Sequence, residues 1–164
     1  VAIAIPSPYR EVLDAARERF EPELGELPAH VTILAPIDVD ADALPAVRRH
    51  LRVVADASAP FRLRLGGAGT FRPVSPVVFV TVGEGAAECA DLESRVRSGD
   101  MAVEARFPYH PHVTIAHDVA DDDLDRAEAE LAAFHADIDV TSIGLYENND
   151  GQWDLLEEFE LSGS

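Results

Sequence analysis

Two rhythms of apolar residues run along the chain, one of period near 3.6 and one of period 2. Val1 to Ile5 is apolar and ends at Pro6, which predicts a strand over 1–6. Val12, Leu13, Ala16 and Phe20 fall at helical spacing and predict a helix over 9–20. Residues 29–37 are a β-rich run stopped by prolines. Leu44, Val47, Leu51 and Val54 make one stripe of a helix over 41–55. Phe61, Leu63 and Leu65 alternate with Arg62 and Arg64, the pattern of a half-buried strand. Gly66, Gly67 and Gly69 then mark a turn or an irregular bulge, and Val77 to Val82 is a continuous apolar strand.

The second half repeats the plan. A helix is expected over 85–98, a strand over 112–116 and a helix over 121–135, whose opening Asp121-Asp122-Asp123 suits a helix N-terminus. Strands over 138–146 and 152–161 flank the turn Asn148-Asn149-Asp150-Gly151, a hairpin signal. Each half carries one His-Val-Thr-Ile strand, starting at His30 and at His112, 82 residues apart. A repeat at half the chain length predicts a duplicated lobe, with equivalent residues facing each other across a cleft. Nothing between the halves is linker-like, so residues 1–164 are expected to form a single domain.

In a strand, residues i and i+2 share a face. His30 and Thr32 therefore point one way and Val31 and Ile33 the other; His112 and Thr114 stand likewise against Val113 and Ile115. Each motif strand offers an apolar face to a core and an imidazole plus a hydroxyl to the cleft. That set suits phosphodiester hydrolysis. One imidazole takes a proton from water, the other gives one to the departing oxygen, and hydroxyls hold the non-bridging oxygens as charge builds. A 2′,3′-cyclic phosphate, with its strained ring, would be a favourable substrate, and the scheme calls for no metal and no cofactor. With 6 His in the chain, chance supplies about 0.2 His-x-Thr matches, which favours a functional pair over two ordinary half-buried strand histidines with satisfied nitrogens.

Charge narrows the substrate. The net charge is −18, with 13 Arg and no Lys. Residues 1–83 carry a net of −1 and residues 84–164 a net of −17. Such a surface repels long nucleic acid and leaves a small phosphorylated nucleotide or RNA-derived molecule as the expected partner. The acidity serves equally as a solubility device. The single Cys89 allows no internal disulfide. No apolar run reaches membrane-spanning length, and the opening strand is too short for a signal-peptide core, so a monomer in the cytoplasm is expected.

The paired motifs resemble those of the 2H phosphoesterase superfamily, also called the 2′-5′ RNA ligase family. PAHVTILAPI is similar to its first motif region and YHPHVTIAH to its second. GTFRPVSPVVFVTV resembles the segment before its central strand, and IGLYENNDGQWDLLEEFEL its closing hairpin. The resemblance covers nearly the whole chain. It implies a bilobal α+β fold, with two pseudo-symmetric lobes whose antiparallel sheets line a central cleft and helices outside. It implies activity on cyclic phosphates or on 2′-5′ linkages, with catalytic roles for His30, Thr32, His112 and Thr114. It also implies that His112 activates water while His30 protonates the leaving oxygen. RNA ligase members of the family often place an arginine shortly after the second motif; this chain has Ala116-His117-Asp118, which speaks against RNA-end processing. A 2′-5′ RNA ligase or phosphodiesterase, and a phosphorylated-ligand binding module without turnover, stand as the alternatives.

Other residues carry weaker signals. Phe71 and Arg72, ahead of the central strand, could reach the phosphate or stack a base, and Arg72 could equally be a solvated loop arginine. Tyr109 could stack on a nucleobase or pack on a lobe edge. Tyr146 and Trp153 read as core or hairpin packing. Arg48, Arg49 and Arg52, with Arg62 and Arg64, read as a salt-bridged face. His110, His112 and His117 invite a metal, but no carboxylate sits at a convincing ligand spacing. His50 and His135 are expected on helices at the surface.

Overall fold

The structure is a computed structural model and describes residues 1–23 and 27–164. Its elements run β1 (Ala2–Ala4), α1 (Tyr9–Phe20), β2 (His30–Thr32), α2 (Leu44–Asp56), β3 (Phe61–Thr70), β4 (Val77–Val82) and α3 (Ala86–Val96). A short 3-10 turn at Gly99–Met101 follows, then β5 (His112–His117), α4 (Asp121–Leu131), β6 (His135–Val140), β7 (Ser142–Asn149) and β8 (Gln152–Glu160). Among the described residues the strands form two antiparallel four-stranded sheets, ordered β2-β1-β7-β8 and β5-β4-β3-β6. This is the α+β architecture expected from the motifs.

The helices follow from their stripes. Leu13, Ala16 and Phe20 bury one side of α1; Val47, Leu51 and Val54 bury one side of α2; Leu124, Ala127 and Leu131 do so for α4. Three aspartates occupy the first turn of α4, where the helix dipole favours negative charge. Helix α2 lies on β8, α4 lies on β3 and β4, and α1 reaches across to β5 and α4. One contiguous apolar cluster runs from Ile3 through Leu63, Val80 and Val113 to Phe159, so the two sheets share a core.

Several boundaries differ from the sequence pattern. The run 29–37 keeps only three residues as a strand. The N–H groups of Ile33 and Leu34 both bond to the Val1 carbonyl, at 2.9 and 3.1 Å, and turn the chain out of the sheet. The helix expected over 121–135 stops at Leu131, and the strand expected over 138–146 is two strands, β6 and β7. His135 therefore stands on a strand rather than a helix. The alternation His135 to Val140, exposed then buried along its length, was visible in the sequence as period 2.

The expected division into halves is also corrected. Strands β3 and β4 come from the first half of the chain but join the sheet that carries the second motif, while β7 and β8 complete the first. The duplication survives in the sheets: each motif strand is an edge strand, paired with a central strand to which a helix connects it.

The glycines after Leu65 do not end β3. They form a bulge between Leu65 and Ala68, with Gly67 at φ 72°. The extra residue switches the strand's faces. Leu63 and Leu65 point into the core, whereas Gly69 pairs with Phe79 on the opposite face.

Ile115 has no exposure, at the centre of this core. Ile115→Ala is expected to destabilise the fold by about 2–5 kcal/mol, read as a lower urea midpoint with unchanged slope.

Candidate active site

Strand register decides which side chains meet. In β2, Val31 pairs with Ile3 on the core face, while His30 pairs with Ala4 and Thr32 with Ala2 on the open face. In β5, Val113 pairs with Val80 in the core, while His112 pairs with Thr81 and Thr114 with Phe79 on the open face. The two motif strands lie beside each other at the junction of the sheets. The Tyr109 hydroxyl, just ahead of the second motif, donates 2.8 Å to the Thr32 carbonyl of the first. His112 is among the charges that lower the His30 pKa, after burial, Arg17 and the N-terminal ammonium.

Both imidazoles are held in the same way. His30 Nδ1 lies 2.8 Å from the Pro28 carbonyl, and His112 Nδ1 lies 2.6 Å from the His110 carbonyl. A carbonyl only accepts, so each Nδ1 carries the proton and donates it. In the neutral ring, Nε2 is then left with its lone pair. Burial pushes both pKa values below the ordinary 6.5, opposed in each ring by the carbonyl on Nδ1. Arg17 and His112 depress His30 further, and His110 depresses His112.

Different supports stand behind the two rings. On the His30 side, Asp14 of α1 accepts the Ala29 N–H at 2.7 Å. Arg17 bridges Asp14, at 3.1 Å, to the Leu27 carbonyl, at 2.7 Å. Helix α1 thus fixes the segment whose Pro28 carbonyl orients the imidazole. On the His112 side the support is aromatic. Phe71 stacks on Phe79 with ring centroids 4.3 Å apart, and meets His112 edge-on at 5.1 Å. Phe79 lies over Gly69, where a Cβ would come within 2.9 Å of its ring. The Thr81 hydroxyl is committed to the Gly66 carbonyl at the β3 bulge.

The remaining candidates fall as follows. Phe71 sits against His112, within the site. The Arg72 guanidinium turns to α4, 2.9 Å from Asp125 and 3.1 Å from Glu128, and its Nε donates to the Thr70 hydroxyl at 3.2 Å. Those bonds direct it away from the imidazoles. Tyr109 bridges the two motif segments, and burial raises its phenol above the ordinary value. His110 packs 5.9 Å from the His112 ring, while His117 at the far end of β5 contacts Asp118 at 2.8 Å. Among the described residues, no group of three or more His, Cys, Asp or Glu side chains is arranged to hold a metal ion. His50 is not simply a surface residue: its Nε2 is 3.0 Å from the Val96 carbonyl and ties α2 to the end of α3. Arg62 and Arg64 pair with Asp139 and Asp137, and Arg48 and Arg52 pair with Glu157, a salt-bridged arrangement.

Tyr146 packs across the hairpin, as expected, opposite Leu155, and does so on the open face of β7. A Cβ at Gly144 would fall 2.6 Å from its ring, and Gly144 shares a cross-sheet row with Ala2 and Thr32. The signal was present. A glycine two residues before an aromatic occurs at Gly69-Thr70-Phe71 and again at Gly144-Leu145-Tyr146, each in the strand next to a motif's partner strand.

The lowered pKa values set a direction for stability. Unfolded imidazoles take up protons near 6.5, and the folded rings do so only at lower pH. Just below 6.5 the unfolded state binds more protons, so stability from these rings is complete above that value and is lost as pH falls through the window beneath it. NMR titration of the ring signals is expected to place both midpoints below 6.5, with Nε2 as the unprotonated nitrogen at neutral pH.

Comparison with known proteins agrees with this architecture. A protein of Bacillus cytotoxicus named "Putative phosphoesterase" is 29% identical over 161 residues, covering 94% of this chain and 92% of the relative. One of Halalkalibacterium halodurans with the same designation is 27% identical over 165 residues, covering 98% and 95%. Among solved structures, E. coli LigT complexed with 3′-AMP superposes with a TM-score of 0.68 at 23% identity, covering 98% of this chain and 95% of LigT. The sequence model of the 2′-5′ RNA ligase superfamily matches residues 5–152, and this chain is a member of that superfamily with a phosphoesterase-like fold.

Proposed function

We propose that the chain hydrolyses a phosphodiester without a metal ion, and that its substrate is a cyclic phosphate, 2′,3′ in type, on a nucleotide or a small RNA-derived molecule. The observation that carries this reading is the matched pair of imidazoles. Each donates Nδ1–H to a carbonyl two residues upstream, keeps Nε2 for chemistry, and has a threonine hydroxyl on the same face. Two proton carriers and two hydroxyl donors around one phosphoryl group are what in-line attack by water requires.

In the proposed reaction, His112 Nε2 removes a proton from water as the new P–O bond forms. The bond to one ribose oxygen breaks, and His30, protonated in the substrate complex, gives its Nε2 proton to that oxygen. Thr32 and Thr114 donate to the non-bridging oxygens. A phosphate anion between the rings favours their protonated forms and so opposes the depression caused by burial. LigT, the structural neighbour, was solved with 3′-AMP, a monophosphate of the kind such a hydrolysis releases. The net charge of −18 favours small substrates over RNA strands.

The test is turnover of 2′,3′-cyclic nucleotides by the pure protein in excess EDTA. Activity is expected to persist, to fall by about 10²–10⁴-fold in His30→Ala and in His112→Ala, and to follow a bell-shaped pH profile. Thr32→Ala and Thr114→Ala are each expected to lose up to about 10²–10³-fold, mainly in kcat. Activity abolished by EDTA sinks the metal-free mechanism; full activity in both histidine variants sinks the residue assignment.

A further inference from the structure

The cleft is matched in its two motif strands and in the glycine two residues before Phe71 and before Tyr146, and it differs in the residues that pair with the motif strands. On the second sheet, the partners of His112 and Thr114 across the ladder are Thr81 and Phe79, and the space above them is filled by the stacked Phe71–Phe79 pair. On the first sheet, the partners of His30 and Thr32 are Ala4 and Ala2, and the next residue along the Thr32 row is Gly144. Small residues thus line one side of the site where phenyl rings fill the other; of the three, Ala4 is exposed, while Ala2 is buried and Gly144 lies under the Tyr146 ring and Leu155.

Two larger groups border that side. The Tyr146 ring rests against Gly144, with a glycine Cβ position only 2.6 Å from Cε2 and 3.0 Å from Cζ, so no larger residue fits beneath it. Leu155, paired with Tyr146 across the hairpin, contacts the same glycine position at 3.1 Å and is 52% exposed. An apolar side chain so open, beside a half-buried aromatic ring, leaves surface for a flat ligand. Adjacent strands lie about 4.8 Å apart, which puts Gly144 about 10 Å from Thr32, within the reach of a nucleoside from its phosphate to its base.

We infer that Tyr146 and Leu155 form a nucleobase shelf, and that substrate binds one way round, with its nucleoside over the β1–β7 side of the cleft. This rests on the phosphodiesterase reading above and adds a direction to it. The nucleoside is the leaving side in ring opening. Its oxygen then departs towards His30, and water enters from the His112 side, beneath Phe71.

The experiment compares two substrates, adenosine 2′,3′-cyclic monophosphate and ribose 2′,3′-cyclic phosphate, which lacks the base. The readout is the ratio of their kcat/KM values. Tyr146→Ala is expected to lower that ratio about tenfold, through KM for the nucleotide. Tyr146→Phe and Tyr146→Trp are expected to keep it, because the ring and not the hydroxyl does the stacking. Leu155→Ala, at an exposed position, is expected to lower it in the same direction by less. A ratio unchanged in both Tyr146→Ala and Leu155→Ala overturns the shelf, as does an equal loss on both substrates. Binding of 3′-AMP and ribose 3-phosphate by calorimetry separates this proposal from the hydrolase reading. If the unaltered protein turns over neither cyclic phosphate, the hydrolase reading fails, and the shelf stands only if 3′-AMP binds more tightly than ribose 3-phosphate and Tyr146→Ala removes the difference. No preference for 3′-AMP in the unaltered protein overturns the shelf.

Discussion

A neutral imidazole owns one proton and two nitrogens, and in both motif strands a main-chain carbonyl has already claimed the proton. The Pro28 and His110 carbonyls lie two residues upstream of His30 and His112, at 2.8 and 2.6 Å from Nδ1. Much of the surrounding structure serves those two bonds. Asp14 and Arg17 of α1 pin residues 27–29, and so place the Pro28 carbonyl. Tyr109 anchors the segment before the second motif to the first motif's backbone. Phe71 and Phe79 wall in His112 and the His110 ring beside it. Loosening either carbonyl would free its ring to rotate and to change tautomer, and the shared face with Thr32 or Thr114 would lose its chemical meaning.

The sequence made the motif strands legible because period 2 is a geometric certainty once a strand forms. His-Val-Thr-Ile could only put Val31 and Val113 on one face and the imidazoles on the other, and the core is indeed where both valines lie. The helices were legible for the same reason at period 3.6; α1 ends at Phe20, where its stripe does, although Val12, counted in that stripe, is exposed. Strand exchange was not legible. Nothing local to Phe61–Thr70 says that β3 leaves the lobe of α2 to join β4, because sheet partners are chosen by long-range burial. The bulge was half legible: glycines announced an irregularity, but its consequence, Gly69 turned to the open face under Phe79, needed the register. Arg72 shows the opposite limit. An arginine beside a presumptive phosphate site reads as a ligand, and only the placement of Asp125 and Glu128 on α4 shows where its charge goes.

Asymmetry enters through central-strand residues that a motif search ignores. Ala2 and Ala4 stand where the other sheet has Phe79 and Thr81. A duplicated pair of motif strands supplies two equivalent proton carriers, and equivalence alone would let substrate bind either way round. On the proposed reading, filling one side with phenyl rings and lining the other with alanines and glycine would remove that freedom. Side-chain volume, rather than charge or hydrogen bonding, would then decide which histidine faces water and which faces the nucleoside.

Charge enters differently. The chain is strongly acidic, and Arg72 is held by α4 carboxylates, so attraction at a distance contributes little to capturing an anion. The affinity of the proposed site must come from short-range donors: two hydroxyls and a proton on one imidazole. Burial makes that proton costly in the empty site, since it depresses both histidines. At the proposed site a phosphate between them would relieve the cost, and by linkage the anion and the proton would bind more tightly together than apart. An imidazole that is neutral while the cleft is empty can thus become an acid when substrate arrives, without any cationic side chain to recruit it. In the proposed mechanism, the same burial that weakens each histidine as a resting acid would keep the other neutral, and so leave one ring free to act as base beside its protonated twin.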